Sequence, residues 1–214
     1  MGDSDWFDPR IDPRPQDHRW PRAQWPPAPD AVLTGDAVEL RPTHVDDTFD
    51  LFVALDDNAV WMHLPMEQPY KVEAMRELVE EAVATRFPWT VRSRVDGEVL
   101  GWTSFLDTSV HDARAEIGAT QYGYRHWGGR TNPECKLLLL THAFDDLAMG
   151  RVQLKTDVRN VRSQRAIARL GATYEGTLGR YQRRADGTVR DTVLFAVTAE
   201  TWPQVREGLR ARLS

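Results

Sequence analysis

The stretch Ala113-Arg114-Ala115-Glu116-Ile117-Gly118-Ala119-Thr120-Gln121-Tyr122, with the loop Tyr124-Arg125-His126-Trp127-Gly128-Gly129-Arg130-Thr131-Asn132-Pro133 after it, decides the fold. Residues 113–122 alternate, with Ala115, Ile117 and Ala119 toward one face and Glu116, Gly118 and Thr120 toward the other, which is the period of a strand. Beyond the loop, Leu137, Leu140, Phe144 and Leu147 recur at helical spacing until Gly150 stops the pattern. Val152, Leu154, Thr156 and Val158 then alternate again. Strand, helix and strand in this order predict a parallel crossover.

Upstream, Ala37-Val38-Glu39-Leu40-Arg41 reads as a strand, and Val45, Phe49, Leu51, Phe52 and Leu55 recur as a helix. A second helical pattern covers 72–85. It leads into a strand over 89–95, where Asp96-Gly97 signals a tight hairpin into another strand over 99–106. Downstream, a short helix over 161–170 ends at Gly171, and Asp186-Gly187 turns into a strand over 192–197. The whole reads as one mixed α/β domain over 35–214, without internal repeats.

Residues 1–34 stand apart as an arm. They hold seven of the thirteen prolines (Pro9, Pro13, Pro15, Pro21, Pro26, Pro27 and Pro29), a density that excludes a sustained helix or a central strand. Trp6, Trp20 and Trp25 also lie there, although disordered segments are poor in aromatics. The arm therefore packs over its own domain, clasps a second subunit in a homodimer, or stays free.

Composition narrows the function. With 27 basic and 32 acidic residues the formal charge is -5, which argues against nucleic acid as a partner. A lone cysteine, Cys135, excludes an intramolecular disulfide framework and thiolate-rich zinc patterns, and its spacing to Leu138 and Leu139 suits a small core residue. The six histidines show no metal-ligand spacing, so no metal is expected. No apolar stretch approaches the ~20 residues that span a bilayer, and the start carries no basic flank or apolar run. No membrane association is expected, and the chain reads as cytoplasmic.

The loop over 124–133 sits where backbone amides at a helix start can face an anion. Its paired glycines let a ligand approach closely, Asn132 reads as the helix cap, and Pro133 as its first residue. A plain glycine turn with a capping asparagine explains the same residues equally well. The loop lacks the Gly-Lys-Ser/Thr ending of a P-loop and the three-glycine spacing of a dinucleotide fingerprint.

This loop, the order of elements, and the run Asp157-Val158-Arg159-Asn160-Val161-Arg162-Ser163 through Arg169-Leu170-Gly171-Ala172 to Glu175-Gly176 resemble the GNAT acetyltransferase superfamily, in particular its RimJ/RimL-like branch. The likeness covers about 38–197. It implies a mostly antiparallel twisted sheet with a splayed central parallel strand pair and helices on both faces. It also implies an acyl-CoA donor, acetyl-CoA or an alternative such as succinyl-CoA, with its pyrophosphate on the helix start and its pantetheine arm along the first splayed strand. The phosphate signature Gln/Arg-x-x-Gly-x-Gly/Ala is matched at Arg125 and Gly128, but Arg130 replaces the small residue. The Arg130 guanidinium can itself neutralise a phosphate.

On this resemblance the donor-binding residues are Gly118, Ala119, Thr120, Tyr122, Arg125, Trp127, Gly128, Gly129, Arg130, Thr131, Asn132, Asn160 and Ser163. Glu116 takes the role of general base, its alternative being a solvent-facing strand carboxylate. Ser163 shares a helical face with Ile167 and Leu170, while Arg162, Arg165 and Arg169 point elsewhere. By resemblance it protonates the leaving thiolate, a position where many relatives place a tyrosine four residues later; here that residue is Ile167. A local hydrogen bond to a preceding carbonyl is the other reading of an inward helical serine. Asn160 caps its helix as well as meeting the CoA arm.

The acceptor would be met by residues 58–70, where Trp61, Met62, His63 and Met66 suggest an apolar wall, and by the loop around 181–190. A peptide or protein N-terminal amine and a small amine both fit, and the branch resemblance favours the former. A non-catalytic acyl-CoA-binding module is the competing class.

Overall fold

The computed structural model describes residues 11–15 and 19–214. Its eight strands form one sheet, running β1 (Leu33–Thr34), β2 (Val38–Pro42), β3 (Phe87–Ser93), β4 (Val99–Ser109), β5 (Arg114–Tyr122), β6 (Arg151–Asp157), then β8 (Val189–Thr198) and at the edge β7 (Thr173–Arg183). Every neighbouring pair is antiparallel except β5 and β6. The helices are α1 (Thr48–Ala54), α2 (Asn58–Trp61), α3 (Val72–Thr85), α4 (Thr131–Thr141), α5 (Val161–Ala168) and α6 (Trp202–Leu213).

The sheet separates two cores. On one face, Met75, Val79 and Ala82 of α3 recur at three- and four-residue spacing and pack with Leu51, Leu55, Trp61 and Trp102. On the other, Cys135, Leu139 and Leu140 of α4 meet Ile117, Val152, Leu154 and the α6 residues Val205 and Leu209. Fully buried Leu, Ile and Met side chains of this kind contribute about 1.5–3 kcal/mol each. Cys135 is one of these core residues, and burial pushes its thiol up to about 12.

Three expectations from the sequence are corrected. The strand read as 152–158 ends at Asp157, leaving Val158 exposed. The hairpin strand runs on to Ser109 rather than stopping at Leu106. The alternation of β5 breaks at Ala119, whose φ of 46° marks a bulge where the pairing with β4 shifts between Trp102 and Ser104. Past the bulge Thr120 turns to the face of Ile117, so it no longer sides with Glu116 and Gly118.

Of the segment read as an arm, Leu33–Thr34 is a strand of the sheet, and part of the rest lies against the core. Trp25 meets the rings of Phe87 and Phe105 edge-on, with centroids 6.1 Å away in each case, and the Gln24 amide donates to the Leu147 carbonyl at 2.8 Å. Trp20 is exposed, and Trp6, Pro9 and His18 lie outside the described residues.

Two buried charges fix α4 against the sheet. The Glu134 carboxylate accepts from the Ala37 amide at 2.8 Å, and a Cβ on Gly35 would sit 2.2 Å from it, so only glycine lets the chain pass this close. Lys136 is 4% exposed, and its Nζ reaches the hydroxyls of Thr120 at 2.8 Å and Thr103 at 3.4 Å, with no carboxylate in ion-pair contact among the described residues. Burial lowers its pKa from 10.5 to about 8. Between those two values the unfolded chain binds more protons than the folded one, so this lysine adds stability as pH rises through that window. Holding the charge at neutral pH costs roughly 3 kcal/mol. The variant Lys136→Met should therefore be more stable than the native chain in urea at pH 7, with the advantage shrinking by pH 9.5; a gain that ignores pH would contradict the buried-charge account.

Candidate active site

The parallel pair is short. β5 and β6 are bonded only through Arg114/Arg151, Ala115/Val152 and Glu116/Gln153. Beyond that point β5 stays with β4, through Gly118/Ser104 and Gln121/Trp102, while β6 stays with β8 through to Asp157/Thr192. The strands therefore part, and a cavity of about 700 Å³ opens between them, floored by the apolar side chains of Leu154, Ile167 and Leu170. Backbone groups on the separated edge of β5 lose their sheet neighbour, a condition that a bound ligand with its own amides can satisfy.

Glu116 stands at the vertex. It is 5% exposed, lines the cavity, and pairs with Lys155 Nζ at 2.7 Å, while Gln153 Nε2 lies 3.4 Å away. Burial raises its pKa, and the Lys155 hydrogen bond offsets only part of that rise. Lys155 is itself raised, because the hydrogen bond and charge of Glu116 outweigh its own desolvation. Its ammonium also lies 5.0 Å from the centre of the Tyr181 ring. The solvent-facing reading of Glu116 does not hold.

The helix start differs from its sequence reading. α4 begins at Thr131 with Arg130 in the capping position and no side chain bonded there, so Asn132 is not the cap and Pro133 is the third helical residue. Pro133 is tolerated because first-turn amides have no intrahelical acceptor. Gly128 takes a φ of 77°, and nothing lies within 4 Å of the place a Cβ would take on Gly128 or Gly129. Gly128, Gly129, Asn132, Trp127, Ala119 and Thr120 all line the cavity, as do Gly118 and Tyr122. The Trp127 indole donates to the Tyr122 carbonyl at 2.9 Å, which anchors the loop to the end of β5.

Three expected phosphate residues turn away. The Arg125 side chain is exposed and pairs with Glu98, and Arg130 binds Glu134 at 3.2 Å and Asp36 at 3.5 Å. These acids hold the two guanidiniums outside the cavity. Thr131 is buried and also off its wall.

α5 faces the same cavity from the opposite side. The Asn160 side chain caps it by accepting from the Ser163 amide at 3.0 Å, and both residues line the cavity. Arg162 was expected to point away but lies over the Trp127 ring, 3.0 Å from its centre, and lines the cavity. Arg169 lines it as well, while Arg165 does not.

On the side where the sequence places the acceptor, His63, Leu64, Pro65 and Met66 line the cavity. Burial lowers the His63 pKa. Trp61 and Met62 do not contribute: Trp61 is in the core, donating to the Leu55 carbonyl at 2.8 Å, and Met62 is exposed. Opposite, Tyr181, Gln182 and Arg190 come from β7 and β8. Sequence reasoning missed Lys136, Lys155 and Arg190. Alternation along β6 was the available signal for Lys155, since Gln153, Lys155 and Asp157 share the face that opens onto Glu116.

Among the described residues no three His, Cys, Asp or Glu side chains converge on a metal position. The features present fit a CoA ester: a long gap with a free strand edge, an uncapped helix start beside glycines, and the cations Arg162 and Arg169.

Residues 37–173 match the family model described as an acetyltransferase (GNAT) domain. A solved structure from T. thermophilus, assigned as an acetyltransferase, is 35% identical over 89% of this chain and 100% of that one, with a TM-score of 0.81. RimJ of Mycobacterium smegmatis, solved with CoA-disulfide, is 24% identical over 91% of this chain and 97% of its own, with a TM-score of 0.73, a likeness of fold. The curated N-acetyltransferase YoaA of Bacillus subtilis (strain 168), itself uncharacterized, is 22% identical over 78% of this chain and 96% of its own. The matched domain takes in both splayed strands, the uncapped helix start and the α5 cap, and the chain belongs to the GNAT acetyltransferase family, as an enzyme that moves an acyl group from acyl-CoA to an amine.

Proposed function

We propose that this chain transfers an acetyl group from acetyl-CoA to a peptide or protein N-terminal amine, with Glu116 as general base and Ser163 as general acid. The observation that carries the reading is the buried Glu116 carboxylate at the point where β5 and β6 part, with its basicity raised by burial. When bound, the donor supplies a thioester carbonyl as electrophile. Glu116, directly or through a water, takes the proton that an ammonium acceptor must lose before its nitrogen can attack. The freed edge of β5 offers amides to the pantetheine arm and to the oxygen that gains charge as the nitrogen–carbon bond forms. As the carbon–sulfur bond breaks, the Ser163 hydroxyl passes a proton to the thiolate.

The lone pairs of Glu116 are held toward the gap by Lys155, which fixes the carboxylate without protonating it. The start of α4, with Gly128, Gly129 and Asn132, and the α5 cap Asn160 hold the donor's phosphate and pantetheine portions in this reading. Trp127 under Arg162 supplies a cationic, aromatic ledge between the two helices. The preference for an N-terminal amine rests on the RimJ-like sequence signature and on the fold shared with RimJ. The apolar His63-to-Met66 wall suits a short apolar or small N-terminal side chain.

Acetyl-CoA at about a hundred times its Kd should add about 2.7 kcal/mol to the unfolding free energy and raise Tm accordingly. An unchanged Tm at saturation would remove the donor assignment. In steady-state assays, Glu116→Gln should lower kcat by about a hundredfold or more while acetyl-CoA still binds with near-native Kd. In the native enzyme kcat should rise with pH as the raised Glu116 pKa is passed, and that limb should vanish in the Gln variant. Ser163→Ala should likewise reduce kcat rather than donor affinity. Native rates in both variants would exclude the two roles.

A further inference from the structure

Most cations of the cavity have visible company. Lys155 is paired with Glu116, Lys136 rests on two threonine hydroxyls, Arg162 lies on Trp127, and Arg86 lies 5.3 Å from the centre of the Trp102 ring. Arg169 and Arg212 also line the cavity but are exposed to solvent, and Arg86, whose Nε is without a hydrogen-bond partner, has the Trp102 ring. Among the described residues Arg190 is the buried guanidinium with neither an ion pair nor a ring contact. It is the second residue of β8, opposite Gln182, is 8% exposed, and lines the cavity, yet its Nε is buried without a hydrogen-bond partner.

Nearby acids are already committed. The Asp157 carboxylate, across from Thr192 two residues along β8, binds Arg184 through both oxygens at 2.6 and 2.8 Å, and it also accepts from the Arg159 amide at 2.8 Å. Glu116 is taken by Lys155. Among the described residues no acid is in ion-pair contact with Arg190, although it lies in the electrostatic range of both carboxylates. A buried charge without a partner is costly. Lys136 can shed its proton as pH rises past about 8, whereas a guanidinium remains charged at any working pH. Burial lowers the Arg190 pKa, in line with a cation short of counter-charge.

Phosphates of a CoA ester belong at the far end, where the cavity meets the start of α4. Arg190 stands instead on the side of Glu116, Tyr181 and the acceptor wall, where the acyl group and the amine meet. From this geometry we propose that Arg190 is the specificity residue for a carboxylate carried by one of the reactants at the transfer end, so the natural pair of substrates includes an acid. This rests on the acyltransferase reading above and adds a substrate class to it. Two sources offer that chemistry: an acidic acceptor, either a peptide with an acidic side chain at or next to its N-terminal residue or a free amino acid, or a dicarboxylic acyl chain on the donor.

Calorimetric binding to the full chain separates them without relying on turnover. In the donor arm succinyl-CoA is compared with butyryl-CoA, and in the acceptor arm, with CoA saturating, alanine with alaninamide and the peptide amide Ala-Glu with Ala-Gln. The native chain should prefer the acid over its neutral match by about tenfold or more in one arm, as expected for a charge-assisted bond in a water-poor site. Arg190→Gln should erase that preference and Arg190→Lys should restore part of it, with the Tm gain given by CoA reporting that each variant is folded. Equal binding of acid and neutral probes by the native chain in both arms would overturn the assignment, as would a preference that survives Arg190→Gln. A native chain that binds neither CoA ester would instead remove the acyltransferase reading beneath it.

Discussion

The structure depends on a pairing that stops. β5 and β6 share three residue pairs and then separate, and the separation creates the cavity, frees a strand edge, and leaves Glu116 at the apex. Continuous pairing would satisfy those backbone groups internally and close the gap, so the site exists because the sheet is incomplete. The bulge at Ala119 supports this. An alanine with φ of 46° turns the remainder of β5, and the same turn brings Thr120 over Lys136 beneath the gap.

The gap carries an excess of positive charge that each residue manages differently. Lys155 is neutralised by Glu116, so the carboxylate proposed as the base is also held in place by a cation. Lys136 is buried with hydroxyls and loses charge near pH 8. Arg125 and Arg130, which a signature alone would place on phosphate, are drawn off by Glu98, Glu134 and Asp36. In the proposed reading that leaves the helix start itself, with amides no side chain caps, to hold the donor's phosphates, with Arg162 and Arg169 also on the cavity wall.

Much of this was legible in the sequence because it depends on local period. The strand-helix-strand crossover follows from alternation on either side of an amphipathic helix, α3 takes the range 72–85 read from spacing, and Cys135 sits in the core as its neighbours suggested. Glu116, Asn160 and Ser163 reach one cavity although they are up to 47 positions apart in the chain, which a family pattern indicates and periodicity cannot. What was hidden depends on long-range contact. β7 escaped notice because an exposed edge strand has no buried face to impose a pattern, and α6 was overlooked between its arginines despite Trp202, Val205 and Leu209. Arg190 fell at the end of a loop read around 181–190, where the structure has β7 to Arg183 and β8 from Val189, and its burial is imposed by strands and loops distant in sequence.

Amide hydrogen exchange with and without acetyl-CoA reads the freed strand edge itself. The donor should slow exchange in β5 from Ile117 to Tyr122 and at the start of α4, while the β1–β2 edge is unaffected. Binding that leaves the β5 amides exchanging at their free rates would contradict the view that the parted strands are where the donor is held.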